Sequence, residues 1–212
     1  MAIALDNSSE ASLSSGTVLT FSHTVSGDNR ILFVSCSQEG GSLDSITGIT
    51  YNGISMTRIG MAVSQANGRA YLYYLIAPAT GANDVVVTYS ETTNKRGQAV
   101  SYTGVSQSGV PDASDSGNGS GTTITGTITT VLDNCWTIMT AYGNNAGLVA
   151  STGSTERLNN NRLGTFDSNG VITPAAETTM VVTCSSDNNG FVIASFAPFV
   201  APTANSNFFQ LF

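Results

Sequence analysis

Charge is what this sequence has least of. Asp, Glu, Lys and Arg make up 10% of its 212 residues, well below the quarter or so usual in globular domains. The net charge is −7, and Lys95 is the sole lysine. Phosphate recognition needs clustered Lys and Arg that release counterions, and no such cluster occurs, so nucleic acid is not expected as a partner. The acidic balance also argues against an anionic membrane surface. No apolar run approaches the roughly 20 residues of a membrane-spanning helix. The opening MAIALDNSSE has neither a basic n-region nor a long apolar stretch, so it does not read as a secretory signal. With its Met, this favours a chain made and used without the general export route.

Chemistry-bearing residues are scarce too. His23 is the one histidine, so any Ser-His-Asp or Cys-His site must use it, and it falls on the apolar face of a strand with Leu19 and Phe21. No GxSxG elbow is present. The three cysteines, Cys36, Cys135 and Cys184, are odd in number and too far apart for a metal knuckle. Each lies in an apolar strand-like run and reads as a small core residue. Glycoside hydrolysis needs two carboxylates flanking the bond. Glu156 and Glu177 fall in loops or at strand edges, and no strand carries an acidic pair. The chain is therefore not expected to be an enzyme.

What the sequence does have is strand pattern and turn chemistry. No window sustains a 3.6-residue period, so almost no helix is expected. Ile3 and Leu5 suggest a short first strand over Ala2–Asp6, followed by a Ser-rich loop over Asn7–Gly16. Thr17–Val25 alternates cleanly. Ile31–Ser37 is apolar on both faces, as a central strand should be. Ile46–Val105 reads as about five strands. Two of them flank Asn52-Gly53, the strongest two-residue hairpin signal. Ser106–Gly121 reads as a long loop inside one domain, because neither side of it alone shows enough strands to close two sheets. Thr122–Leu132 alternates, with Ile124, Ile128 and Leu132 on one face. Thr178–Cys184 and Phe191–Phe199 read as a last hairpin across Ser185–Gly190. A chain of this size buries about 70% of its unfolded surface and needs no metal or disulfide to fold.

Several segments together carry a family resemblance: HTVSGDNRILFVSCS, ITGITYNGISMTRIG, GRAYLYYLIAPATGANDVVVTYS, QAVSYTGVSQ and GFVIASFAPF. In this order they resemble a β-sandwich module of bacterial surface proteins and of tailed-phage and metagenomic virion proteins. The likeness runs from about Ile3 to Phe199. Asn144–Pro174 and the last residues align to no part of the module. The resemblance implies an all-β, two-sheet antiparallel sandwich, jelly-roll-like or concanavalin-like. It carries over no catalytic residue. The expected organisation is a single sandwich over residues 1–200 and an apolar tail over residues 201–212.

Three sets of residues stand out as candidates. Tyr71, Tyr73 and Tyr74, with Tyr51 and Tyr102, are candidates for a sugar-stacking platform, since tyrosine joins an apolar face to a wet hydroxyl. Asp112, Asp115 and Asn118 place oxygen ligands at short spacing in a Gly-rich stretch, as calcium loops do, although they match no complete calcium-binding pattern. Phe208, Phe209, Leu211 and Phe212 put four large apolar side chains in an otherwise polar tail, where burial of each is worth about 1.5–3 kcal/mol. They point to an arm that docks on a neighbouring subunit. The expectation is a non-enzymatic structural protein of a virion, such as a phage decoration or head/tail surface protein. Its partners would be copies of itself or other virion or surface proteins, with no membrane partner and no cofactor. The alternative is an extracellular or cell-surface module that binds glycans or adheres, with calcium as a stabilising ion.

Overall fold

The computed structural model describes residues 1–40, 44–64, 68–145 and 147–201. Among them are fifteen strands and no helix. The first nine are β1 (Ala4–Leu13), β2 (Val18–Val25), β3 (Ile31–Glu39), β4 (Ile46–Tyr51), β5 (Ile54–Ser55), β6 (Thr57–Ser64), β7 (Gly68–Ile76), β8 (Gly81–Tyr89) and β9 (Asn94–Thr103). The remainder are β10 (Ala113–Thr129), β11 (Trp136–Gly143), β12 (Val149–Ala150), β13 (Thr155–Asn160), β14 (Leu163–Asp167) and β15 (Glu177–Phe196). All strand pairings are antiparallel. The all-β, sandwich-like expectation is met, and the layering goes further than two sheets. Three sheets are stacked: an outer β2-β8-β4-β5 sheet, a central β1-β9-β3-β7-β6 sheet, and a third sheet ordered β10-β15-β11-β14-β13.

The alternation in β2 turns Leu19, Phe21, His23 and Val25 inward and Val18, Thr20, Ser22 and Thr24 outward. With Ile49, Tyr51, Val85 and Val87 of the outer sheet, the inward apolar side chains meet Leu32, Val34, Cys36, Tyr71 and Tyr73 of the central sheet. The other face of the central sheet presents Ile31, Phe33, Leu72, Val100 and Tyr102 to Ile138, Val192, Ala194 and Phe196 of the third sheet. This double cover is why the two-faced apolar run in β3 is buried from Ile31 to Gln38.

The hairpin at Asn52-Gly53 forms as its sequence predicts. Tyr51 pairs with Ile54, and φ is 49° at Asn52 and 75° at Gly53, the positive values that a type I′ turn requires.

Three segments differ from the sequence reading. The Ser-rich Asn7–Gly16 region is mostly strand, because β1 continues to Leu13 along the edge of β9. The Ser106–Gly121 stretch is loop only at its start, since Ala113–Gly121 pairs residue for residue with β15. Glycine is used there for close approach: a Cβ at Gly117 would lie 2.7 Å from the Phe191 ring, which spans the ladder. Strands β1–β9 close two sheets without help from the second half, so the first half holds more strands than its sequence signals show. Finally, Ser185–Gly190 is not a hairpin turn, because β15 runs unbroken from Glu177 to Phe196.

The β10–β15 ribbon shifts register between Gly121 and Thr123, where the partner jumps from Asp187 to Thr183. Beyond that irregularity the ribbon bends over the outer face of its own sheet. Ile124, Ile128, Met180 and Val182 then form a third core with Met139, Phe166 and Ile193. A Cβ at Gly126 would lie 2.9 Å from Met139 Sδ. Leu132, expected to face inward with Ile124 and Ile128, lies past the end of β10 and is 53% exposed.

Gly104 joins the two halves with φ at 71°, and a Cβ there would lie 2.1 Å from the Ala2 carbonyl oxygen. Gly109 has a similar φ of 63° and nothing within 4 Å of its would-be Cβ. Gly104→Ala is expected to cost about 3 kcal/mol, from steric overlap added to backbone strain. Gly109→Ala, with strain alone, should cost about 1 kcal/mol. Urea unfolding midpoints of the two variants check the difference.

Candidate functional site

The tyrosines do not form a surface platform. Tyr71 and Tyr73 are buried between the outer and central sheets, and Tyr51 joins them there. Tyr74 points to the opposite face of β7 and is partly covered by the second core, which also encloses Tyr102. The physical reason is the double cover of the central sheet: alternate side chains of β7 enter two cores, so neither set is left for a sugar ring.

The Asp112, Asp115 and Asn118 side chains do not converge. Asp112 accepts hydrogen bonds from the backbone amides of Val131 at 2.7 Å and Leu132 at 3.1 Å, and from Ser195 Oγ at 3.0 Å. It ties the loop after β10 to β15. Asp115 and Asn118 lie on β10 opposite Ile193 and Gly190, three positions apart and therefore on opposite faces of the strand. Among the described residues no group of three or more His, Cys, Asp and Glu side chains is arranged to hold a metal ion. The three cysteines are free and buried. Burial, with the Asp112 carboxylate next in effect, pushes the Cys135 thiol up to about 12. Burial does the same to Cys36. Neither is a thiolate nucleophile at neutral pH.

His23 sits where the alternation of β2 put it, 1% exposed, but its partners come from distant strands. Ser101 of β9 donates to Asp6 Oδ2 at 2.7 Å. Its one hydrogen is thereby committed, so Ser101 Oγ accepts from His23 Nε2 at 3.1 Å. His23 Nδ1 is then the bare nitrogen and accepts from Ser9 Oγ at 2.8 Å. The donors run in one direction, Ser9 to His23 to Ser101 to Asp6. Burial depresses the imidazole pKa to about 4, against the opposing pull of the Asp6 charge. Burial also works against ionisation of Asp6, but hydrogen bonds from the Ser26 hydroxyl and amide and from Ser101 outweigh it, and its pKa is lowered. The carboxylate reaches His23 only through a serine, unlike a triad in which it holds the imidazole directly. None of Asp6, Ser9, His23 or Ser101 lines the hollows described below. Sequence reading found His23 but not its partners, which lie up to 78 residues away and carry no local signal.

A second buried network crosses from the central to the third sheet. Thr165 Oγ1 donates its one proton to Gln98 Oε1 at 2.8 Å, and Ser35 Oγ, also 2.8 Å away, donates to Thr165 Oγ1 in turn. Tyr102 donates to Asp167 Oδ2 at 2.7 Å, and Arg157 Nε reaches the same oxygen at 2.6 Å. These groups satisfy one another inside the interface, and they are disposed as packing rather than as a reactive cleft.

Two surface features remain. On the outer sheet, a shallow hollow of about 440 Å³ is lined by Thr50, Asn52, Asn83 and Asp84. At the end of the molecule where Ala201 is the last described residue, apolar side chains are exposed together: Met1, Leu132, Val171 and Val200. Phe208, Phe209, Leu211 and Phe212 lie outside the described residues. The apolar end carries no local sequence signal, because Leu132 and Val171 come from segments 39 positions apart.

The buried imidazole makes a pH prediction. Its folded pKa of about 4 lies below the ordinary 6.5, so the unfolded chain takes up the proton first. The stability it contributes is complete above pH 6.5 and is lost as pH falls to 4, by about 3 kcal/mol in all. Asp6 adds a further loss at lower pH. Melting temperatures from pH 7 to 4 should fall steeply in the native protein and more shallowly over the same window in His23→Gln. A search of protein-family models and of curated proteins finds no match to this chain.

Proposed function

We propose that this chain is a non-enzymatic structural protein of a virion or surface assembly, a phage decoration or head/tail surface protein in kind, and that it self-associates in part through residues 208–212. One observation carries the reading. Residues 1–201 complete three apolar cores among themselves, and four large apolar side chains follow in the sequence. Those side chains gain most by covering a surface that the cores leave open. The resemblance to sandwich modules of surface and virion proteins supports the same reading. So does the use of His23, Asp6, Asp112 and Asp167 as hydrogen-bonding members of the scaffold.

Carbohydrate binding is the second reading. It draws on the hollow beside the Asn52-Gly53 turn, where amide and carboxylate groups of Asn52, Asn83 and Asp84 lie together. Orienting polar groups of this kind are what a sugar hydroxyl needs. A glycan array separates the two: retention that is lost in Asp84→Ala supports this reading, and no retention removes it.

The test of the structural reading is deletion of Asn205–Phe212. The shortened chain should melt within a few degrees of the intact one but run as a monomer under light scattering, where the intact chain forms a larger species. A deleted chain that assembles as before would overturn the reading.

A further inference from the structure

The end of the molecule beyond β15 is built around a short ridge, Pro198–Val200. Its backbone is clamped on both sides. Phe199 N donates to the Gly104 carbonyl at 2.7 Å, and Ser106 N donates to the Ala197 carbonyl at 2.9 Å. The Met1 amino group donates to the Phe199 carbonyl at 3.0 Å. A hollow lies on each side of this ridge. One, of about 340 Å³, is lined by Met1, Ile3, Val171 and the ridge itself. The other, of about 390 Å³, is lined by Leu132, Gln107 and the ridge. No charged side chain lines either hollow. The apolar groups are well exposed: Met1 68%, Leu132 53%, Val171 53% and Val200 78%. A clamped backbone between two open apolar hollows is a preformed groove, which loses little freedom when it is filled.

We infer that this groove receives residues 208–212 of a second copy of the chain, and that two copies exchange these segments reciprocally. The inference rests on the self-associating reading proposed above and names the receiving surface. Charge is the first support: the sequence from Pro202 to Phe212, PTANSNFFQLF, contains no charged side chain, matching a groove without charged side chains, whose one cationic group, the Met1 ammonium, is already bonded to the Phe199 carbonyl. Reach is the second. Phe208 lies seven positions beyond Ala201, a span of at most about 25 Å when fully extended. Ala201 itself lines the first hollow. For a chain to fill its own groove, Phe208 must come back to the point its segment left. Ala201 precedes Pro202, which disfavours helical turning at that position and favours an extended exit. A second copy facing this end has its own Ala201 within reach and fills the groove without a reversal. Since each exit point lies in the wall of a receiving groove, one end-to-end pairing satisfies both copies. That is an isologous, twofold contact that closes at two subunits; larger assemblies would use other surfaces.

The test uses the full chain. Val171→Asp and Leu132→Asp each place a carboxylate in one hollow at an exposed position, so the fold is expected to be kept. Light scattering over a concentration series should give a dimer for the native chain and at least tenfold weaker dimerisation for either variant, with unchanged melting. A labelled peptide of Asn205–Phe212 should bind the chain deleted of those residues saturably, and should lose binding when Val171→Asp is added. If the deleted chain is monomeric while both aspartate variants dimerise normally, the segment docks elsewhere. In that case the groove assignment is overturned and the self-associating reading stands. If deletion leaves assembly unchanged, both fall. If the native chain stays monomeric and the peptide still competes for the groove, the segment folds back on its own chain and reciprocal exchange is overturned. Should an aspartate variant misfold, disulfide capture between Val171→Cys and Phe209→Cys decides instead: a covalent dimer supports the exchange, and capture only within one chain overturns it.

Discussion

The structure depends on a central sheet covered on both faces. Strands β1, β9, β3, β7 and β6 pack against one sheet through Leu32, Val34, Tyr71 and Tyr73. They pack against another through Ile31, Phe33, Leu72 and Tyr102. Between its edges a sheet covered on both faces cannot turn polar side chains toward water, and unpartnered burial is costly, so several of them take partners from the neighbouring layers. Ser35 and Gln98 meet Thr165 of the third sheet. Tyr102 meets Asp167, and Ser101 meets His23 and Asp6. These hydrogen bonds are the seams between layers, and they pin sheets whose apolar contacts alone would tolerate sliding.

The same burial decides what the reactive residue types do here. In a solvated groove, a histidine next to serine and carboxylate groups would suggest catalysis. At 1% exposure, burial favours the neutral imidazole, and the direction of its hydrogen bonds follows from the single proton of Ser101. Cys36 and Cys135 are held as thiols for the same reason. Asp112 is an acceptor that ties two loop amides to β15. These groups are engaged in the scaffold, whereas on the surface the end beside Pro198–Val200 stands apart. Its backbone is held in place and its side chains are apolar and exposed, which is the combination a docking surface needs.

Local features of the chain translated directly into structure. The alternation of Thr17–Val25 became β2, with His23 on the inward face. The two-faced apolar run at Ile31–Ser37 became the buried β3. Asn52-Gly53 became the expected turn. The failures share one cause. Ser- and Gly-rich segments read as loops in the sequence because their side chains bury little. The Gly117 region is nevertheless strand, because Phe191 of β15 lies across it, and β1 is strand because β9 supplies its ladder. In these segments the partner strand supplies the strand character.

Alternation, turn chemistry and low charge therefore determined from sequence alone that this is an all-β protein of stacked antiparallel sheets. Each of those signals is complete within a few consecutive residues. Only the tertiary structure decided that there are three sheets, that Tyr71 and Tyr73 are core, that His23 joins Ser9, Ser101 and Asp6, and that Leu132 and Val171 face water. Those outcomes depend on which surface covers which, and the contacts that set it join positions as far apart as Ser35 and Thr165, 130 residues along the chain. A strand's own sequence records which side chains share a face. Whether that face is covered depends on the rest of the chain.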